Sequence, residues 1–243
     1  MKAMILAAGK GTRLGRITER TPKVLVDING KSILQISVEK CSEYGFDDII
    51  VNVHHFADAV KKEAERLKKS GYKITVSDES KILLETGGGL FRARDFFDES
   101  PFLLYNADIV TDLDLSALYR FHEEKKGLAT LAVRNRTGNR YFLVNSEGLL
   151  SGWCNKASGE RIVTVGNDRD LSDIAFSGVH IIEPEIFNYM REGIYTMTSL
   201  YLSLASSHRI FTFRCDDGYW FDIGTPENLE IARKYLGSGK DKN

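Results

Sequence analysis

The residues best suited to chemistry stand in four places: Gly9, Gly11, Thr12 and Arg13 in "GKGTRLG", Lys23 in "TPKVLV", Asp108 in "LLYNADIVTD", and Asp222 in "GYWFDIGTPENL". Spaced glycines leave backbone N–H groups uncovered, so a loop of this kind approaches phosphate oxygens closely. An arginine forks onto two oxygens while a lysine acts as a point charge, which makes Arg13 and Lys23 complementary tools for neutralising an anion. Asp108 ends an apolar strand, and Asp222 follows an apolar pair and precedes a helix that Thr225 can cap, with Pro226 in its first turn. Each feature also has a plainer reading. The loop could be a solvated surface turn, and the aspartates could be helix caps.

Two familiar phosphate loops do not fit. A P-loop needs Gly-Lys followed by Ser or Thr, and Gly15 is followed by Arg16. The dinucleotide fingerprint needs glycine where Leu14 stands. Composition narrows the choice further. Thirty-three Lys and Arg face thirty-four Asp and Glu across 243 residues, a formal charge of −1, so no chain-wide cationic field exists to hold nucleic acid or anionic lipid. Phosphate binding must therefore be local. Cys41, Cys154 and Cys215 have neither the number nor the spacing of a disulfide framework or a zinc site. His54 and His55 lack a third ligand at useful spacing and read as surface or packing residues. With no long apolar run, the expectation is a cytoplasmic protein without a membrane partner.

The elements that must position these residues follow a strand–helix rhythm. Met4 to Ala8 is apolar on both faces, as a central parallel strand covered by helices would be. An Asn29-Gly30 turn follows, then a helix from Ser32 to Tyr44 with Ser32 as N-cap and Gly45 at its end. "DDIIVNV", a helix from Ala57 to Lys69, "YKITVS", a helix restarting at "GGGLFRARDFF", "FLLYN" and a helix from Leu115 to Lys125 continue the alternation. Asp112 and Asp114 are assigned to the cap of that last helix. This pattern predicts an α/β fold: a Rossmann-like, doubly wound, mostly parallel sheet with helices on both faces. Beyond residue 127 the extended segments "LATLAVRN", "YFLVN", "LLSGWC", "RIVTV" and "IAFSGVHII" predict a mixed β lobe, with helices near 184–191, 198–207 and 226–236. One domain over 1–236 is expected, followed by a disordered tail at 237–243.

"GKGTRL" followed by "TPKVLVDINGKSIL" resembles the N-terminal signature of the nucleoside triphosphate:sugar-1-phosphate nucleotidyltransferases, and "LLETGGGL" resembles the base loop of that family, most closely in its N-acetylmuramate-1-phosphate uridylyltransferase branch. Val24 stands where that family usually has proline. The resemblance implies that Ala7, Ala8, Gly9, Gly11, Thr12 and Arg13 wrap the triphosphate, and that Arg13 contacts the departing pyrophosphate. It implies that Lys23 contacts phosphate at the reaction centre. It also implies that Asp108 and Asp222 hold Mg2+, an ion that favours oxygen ligands and keeps several waters. "LLETGGGL" matches the base loop, with Glu85, Thr86 and Gly87 as candidate contacts; without a ligand, the same stretch reads as a helix start capped by Thr86. Asn106, Lys156 and Gly178 are the candidates for the sugar phosphate and sugar, Lys156 being equally well read as a solvated loop lysine.

The implied reaction joins a nucleoside triphosphate, UTP foremost, to a sugar-1-phosphate with release of pyrophosphate. Guanylyl or thymidylyl transfer to heptose- or glucose-1-phosphate is the alternative within the family. Outside it stand a non-catalytic nucleotide-sugar sensor of the same fold and a glycosyltransferase. Oligomeric state and any second activity have no signal in the residues.

Overall fold

The computed structural model describes residues 1–238 of the 243. In chain order its first half contains β1 (Lys2–Leu6), β2 (Asp27–Ile28), β3 (Lys31–Ser32), α1 (Ile33–Glu43), β4 (Asp48–Val53), α2 (Ala57–Lys69), β5 (Lys73–Asp78), α3 (Glu85–Arg92), β6 (Phe102–Asn106), β7 (Ile109–Thr111) and α4 (Leu115–Lys125). The second half adds β8 (Ala129–Arg134), β9 (Arg140–Val144), β10 (Leu150–Asn155), β11 (Glu160–Val163), β12 (Ser172–Ile182), α5 (Met197–Leu204), β13 (Ile210–Arg214), β14 (Trp220–Asp222) and α6 (Pro226–Ser238). The chain forms two compact units, one of residues 1–83, 105–113 and 219–238, the other of residues 84–104 and 114–218.

In the first unit β1, β4 and β5 pair in parallel, with Leu6 opposite Asn52 and Asn52 opposite Ser77. Parallel strands need helical crossovers, and α1 and α2 supply them. Ser32 caps α1 by accepting from the Gln35 N–H at 3.0 Å, and Gly45 follows its end with φ +79°. Asn29 and Gly30 both adopt positive φ, the geometry of a tight two-residue hairpin turn, and join β2 to β3. A cluster of Leu14, Val26, Ile28, Ile33, Val110, Ile223, Leu229 and Ala232 fills the space under the loop after β1, β7 and α6.

The second unit is a mixed sheet. β12 pairs antiparallel with β8 and β9, β9 with β10, β10 with β11, and β13 runs parallel to β8. Asp114 caps α4 by accepting from the Ala117 N–H at 2.9 Å, as the sequence predicts. The segment expected as a helix at 184–191 is instead a 3-10 helix, Pro184–Tyr189, and α5 ends at Leu204 rather than at residue 207. Helix α6 runs past the expected end at residue 236 through Gly237 and Ser238. Residues 239–243 of the tail lie outside the described residues. Among the described residues no helix is long and apolar enough to cross a membrane.

Candidate active site

The glycine loop leaves β1 through Ala7 and Ala8, both buried, and surfaces at Gly9. An added Cβ at Gly9 would meet nothing within 4 Å. Gly11 is different. Its φ is +66°, and a Cβ there would lie 2.8 Å from the Lys23 Cβ, so a side chain would be strained and would push on Lys23. The loop then folds back as a 3-10 turn, Thr12–Thr18, with Thr18 Oγ1 donating toward the carbonyls of Gly11 at 3.0 Å and Gly15 at 3.1 Å. Leu14 is 1% exposed and anchors this turn in the core cluster, leaving Arg13 beside it largely exposed.

Lys23 opens a second 3-10 turn, Lys23–Leu25, after Pro22. Val24, where the resemblance expects proline, is buried, and the turn still closes with the Leu25 N–H donating to the Pro22 carbonyl at 2.9 Å. Lys23 itself is only 7% exposed, and its Nζ donates to Asp108 Oδ2 at 2.5 Å. A lysine this buried needs a counter-charge, and Asp108 is it.

The two aspartates are brought together by β-pairing. Asp108 sits between β6 and β7, and its carbonyl accepts from the Ile223 N–H at 2.8 Å. Asp222 ends β14, which runs antiparallel to β7 with Asp222 opposite Ile109. Tyr105 braces this turn by donating its hydroxyl to the Ile109 carbonyl at 2.8 Å. Arg13 Nη2 lies 3.6 Å from Asp222 Oδ2. Gly224 lies against that pair: a Cβ there would fall 2.6 Å from Arg13 Nη2 and 2.7 Å from Asp222 Oδ1, so a side chain would displace the ends of both. Thr225 accepts from the Asn228 N–H at 3.3 Å, and Asn228 Nδ2 donates to the Asp222 carbonyl at 2.9 Å, so α6 starts where the sequence predicts and holds Asp222 from behind. The first unit thus gathers the loop, Arg13, Lys23, Asp108 and Asp222. Asn106 ends β6 just before them.

The remaining candidates lie in the second unit. Glu85 is exposed at φ +60°, an unusual conformation for a side chain with a Cβ. Leu84, not Thr86, holds the N-cap position of α3, and Thr86 Oγ1 instead accepts from the Met197 N–H at 2.8 Å. The N–H groups of Gly87 and Gly88 donate to the Tyr195 carbonyl at 2.8 and 3.2 Å. A Cβ at Gly87 would enter the Tyr195 ring at 2.5 Å, and one at Gly88 would meet the Gly193 carbonyl at 2.1 Å, so close packing on the 193–195 segment requires both glycines. Gly178 has φ +83° at the register shift of β12 against β8, between Phe176 and His180. Lys156 stands 3.0 Å from Asp173 with its Nζ over the Tyr141 ring. The hydrogen bond with Asp173 holds its ammonium above the usual lysine range. Burial pushes the Asp173 carboxyl up, but pairing with Lys156 and Arg161 outweighs that and holds it low.

Three residues of the first unit escape a motif-led reading: Thr18, which shapes the loop, Gly224, and Asn52. A signal for Asn52 exists, since it is a lone amide in the otherwise apolar "IIVNV". His54 is half-buried and His55 packs on Phe56, ring centroids 4.2 Å apart. Among the described residues no cluster of three or more His, Cys, Asp or Glu could hold a metal by itself.

Comparison with known proteins bears on this arrangement. The model of the family described as "Nucleotidyl transferase" matches residues 2–238. A UTP–glucose-1-phosphate uridylyltransferase from Synechocystis is 32% identical over 97% of this chain, which spans 63% of that relative's length. An N-acetylmuramate alpha-1-phosphate uridylyltransferase from Caulobacter vibrioides is 27% identical over 96% of both chains. The solved structure of a UDP-glucose pyrophosphorylase from Acinetobacter baumanii superposes with a TM-score of 0.79 at 16% identity, covering 99% of this chain and 94% of that one, which shows a common fold.

Proposed function

Because the chain belongs to the nucleotidyl transferase family, we propose that it transfers a uridylyl group from UTP to a hexose-1-phosphate and releases pyrophosphate. The observation that carries this reading is the meeting of Lys23 with Asp108 and of Arg13 with Asp222, where β14 pairs with β7 beside the glycine loop. The two ion pairs balance the charges of these four side chains against one another. An arriving triphosphate offers Arg13 and Lys23 new anionic partners and releases both carboxylates for a cation.

In the reaction an oxygen of the sugar phosphate bonds to the α-phosphorus, and the bond from that phosphorus to the bridging oxygen of the β-phosphate breaks. The nucleophile is already ionised near neutral pH, so no base has to take a proton. Placing two anionic reactants in line can lower the barrier by roughly 7–11 kcal/mol. Preplaced cations then meet the charge that develops on the transferring and leaving oxygens. Arg13, on the exposed side of the loop, suits the departing pyrophosphate, and buried Lys23 suits the transferring phosphate.

The donor set fits Mg2+. Asp108, just before β7, and Asp222, at the end of β14, offer carboxylate oxygens, and as no cluster of three such ligands exists among the described residues, the remaining positions would fall to water and phosphate oxygens, the usual manner of holding this ion. Bound there, Mg2+ would add Lewis-acid neutralisation of the phosphates. Glu85 and Thr86 remain the candidates for reading the base. Gly87 contributes through its packing, its N–H being engaged by Tyr195. Gly178 and Lys156 remain the candidates for the sugar side.

The test is pyrophosphate release from ATP, CTP, GTP, UTP and dTTP against a panel of sugar-1-phosphates. UTP is expected to give a kcat/KM at least about tenfold above the others, the discrimination of roughly one well-made polar contact. Preference for GTP or dTTP overturns the uridylyl assignment, and no release from any pair overturns transfer.

A further inference from the structure

Three parallel strands end in a line of buried polar contacts that the reaction scheme leaves unused. Asn52, 2% exposed near the end of β4, accepts the Ala7 N–H on its Oδ1 at 2.7 Å and donates from Nδ2 to Glu79 Oε1 at 2.9 Å. Glu79, 1% exposed, follows β5 and is itself tied to β4 by its N–H, which donates to the Val53 carbonyl at 2.8 Å. The amide orientation follows from its partners. A backbone N–H requires the oxygen, and a carboxylate requires the nitrogen.

Ala7 is the first residue beyond β1, so its N–H lies past the end of the ladder that joins β1 to β4. The Asn52 side chain extends that ladder by one bond, and Gly9 emerges two residues later. The bond therefore sets where the chain leaves the sheet, and with it where the loop to Arg13 begins. By taking the Asn52 Nδ2, Glu79 fixes the amide with its oxygen toward Ala7.

We propose that Asn52, oriented by Glu79, is a positioning residue for the nucleotide, fixing the strand-to-loop junction so that the backbone from Ala7 to Arg13 is preformed for the triphosphate. The proposal rests on the transfer reading above for its ligand. Its geometry does not.

The decisive variant is the double replacement Asn52→Leu with Glu79→Met, which keeps volume and removes every buried polar group of the pair. A melting temperature lowered by only a few degrees is expected, because the Ala7 N–H loses its acceptor, together with a KM for UTP raised about tenfold and a KM for the sugar-1-phosphate within about twofold of wild type. The Ala7 amide should exchange its hydrogen faster by about tenfold or more. A folded double variant with wild-type KM for UTP, or with unchanged exchange at Ala7, overturns the proposal. Should the double variant fail to fold, Asn52→Ala is read by the same criteria. If wild-type protein releases no pyrophosphate with any substrate pair, the transfer reading fails on its own, and exchange at Ala7 still decides whether Asn52 holds the junction.

Discussion

Lys23 is the residue whose environment says most about its task. Lysine is almost never this buried without a reason, and an apolar side chain could fill the position without needing Asp108 opposite it. Lys23→Ala and Asp108→Asn are each expected to lower turnover about a hundredfold to ten-thousandfold, the range for losing a preplaced charge at a phosphoryl transfer. Far-UV circular dichroism should stay close to wild type for both variants, while the melting temperature should fall for Asp108→Asn, which leaves buried Lys23 without its counter-charge, and less for Lys23→Ala, which leaves the more exposed carboxylate. Turnover within a few-fold of wild type for either variant would remove both from the reaction. The identity of these residues was legible as sequence, since a loop glycine, Arg and Pro-Lys carry the resemblance. Their pairing was not. Nothing in the spacing of Lys23, Asp108 and Asp222 states that one carboxylate takes the lysine and the other the arginine.

At the scale of elements, the site depends on apolar anchors placed next to each polar group. Leu14 follows Arg13, Ile223 follows Asp222, and Val110 stands two residues after Asp108, and all three meet in one cluster. Leu14→Ala is expected to cost about 2–5 kcal/mol, the range for truncating a fully buried leucine, seen as a lower urea midpoint with unchanged slope. Because the same side chain pins the turn that carries Arg13, KM for UTP should rise as well. A variant that loses stability but keeps its KM would show that Arg13 is held by its ion pair instead. Element types along this part of the chain were readable from periodicity and caps, as Ser32, Asp114 and Thr225 all show. The start of α3 was not. Thr86 looks like an N-cap, yet its hydroxyl serves the Met197 N–H from a segment more than a hundred residues away, and local pattern carries no record of such a partner.

For the whole molecule, two buried histidines set the response to acid. His122 is fully buried, with Nδ1 at 2.9 Å from Thr130 Oγ1 and Nε2 at 3.1 Å from Glu183 Oε1, and burial lowers its pKa to about 4. His180, 2.8 Å from the Tyr201 hydroxyl, is lowered by burial to about 3. Both rings are neutral when folded and take up a proton near pH 6.5 when unfolded, so the unfolded state binds more protons as acidity rises. Stability is therefore full above about pH 6.5 and declines as pH falls toward about 4, by on the order of a few kcal/mol. Glu183, pushed up by burial and by Glu185 and Glu123, protonates earlier in the folded state and offsets part of the loss at the acid end. Urea midpoints measured across this range should show the decline, and a flat profile would contradict two neutral buried rings.

The sequence by itself determined the alternation of strands and helices, the apolar run that empties into a glycine loop, and the family that its motifs match, because periodicity, caps and turn residues act over a few positions. Tertiary structure alone decided that β14 pairs with β7 to bring Asp222 beside Asp108, that Gly224 packs against the ends of Arg13 and Asp222, and that Asn52 completes the ladder at Ala7. Those are contacts between residues far apart in the chain. Their energy depends on register and close packing, which only exist once the chain has folded.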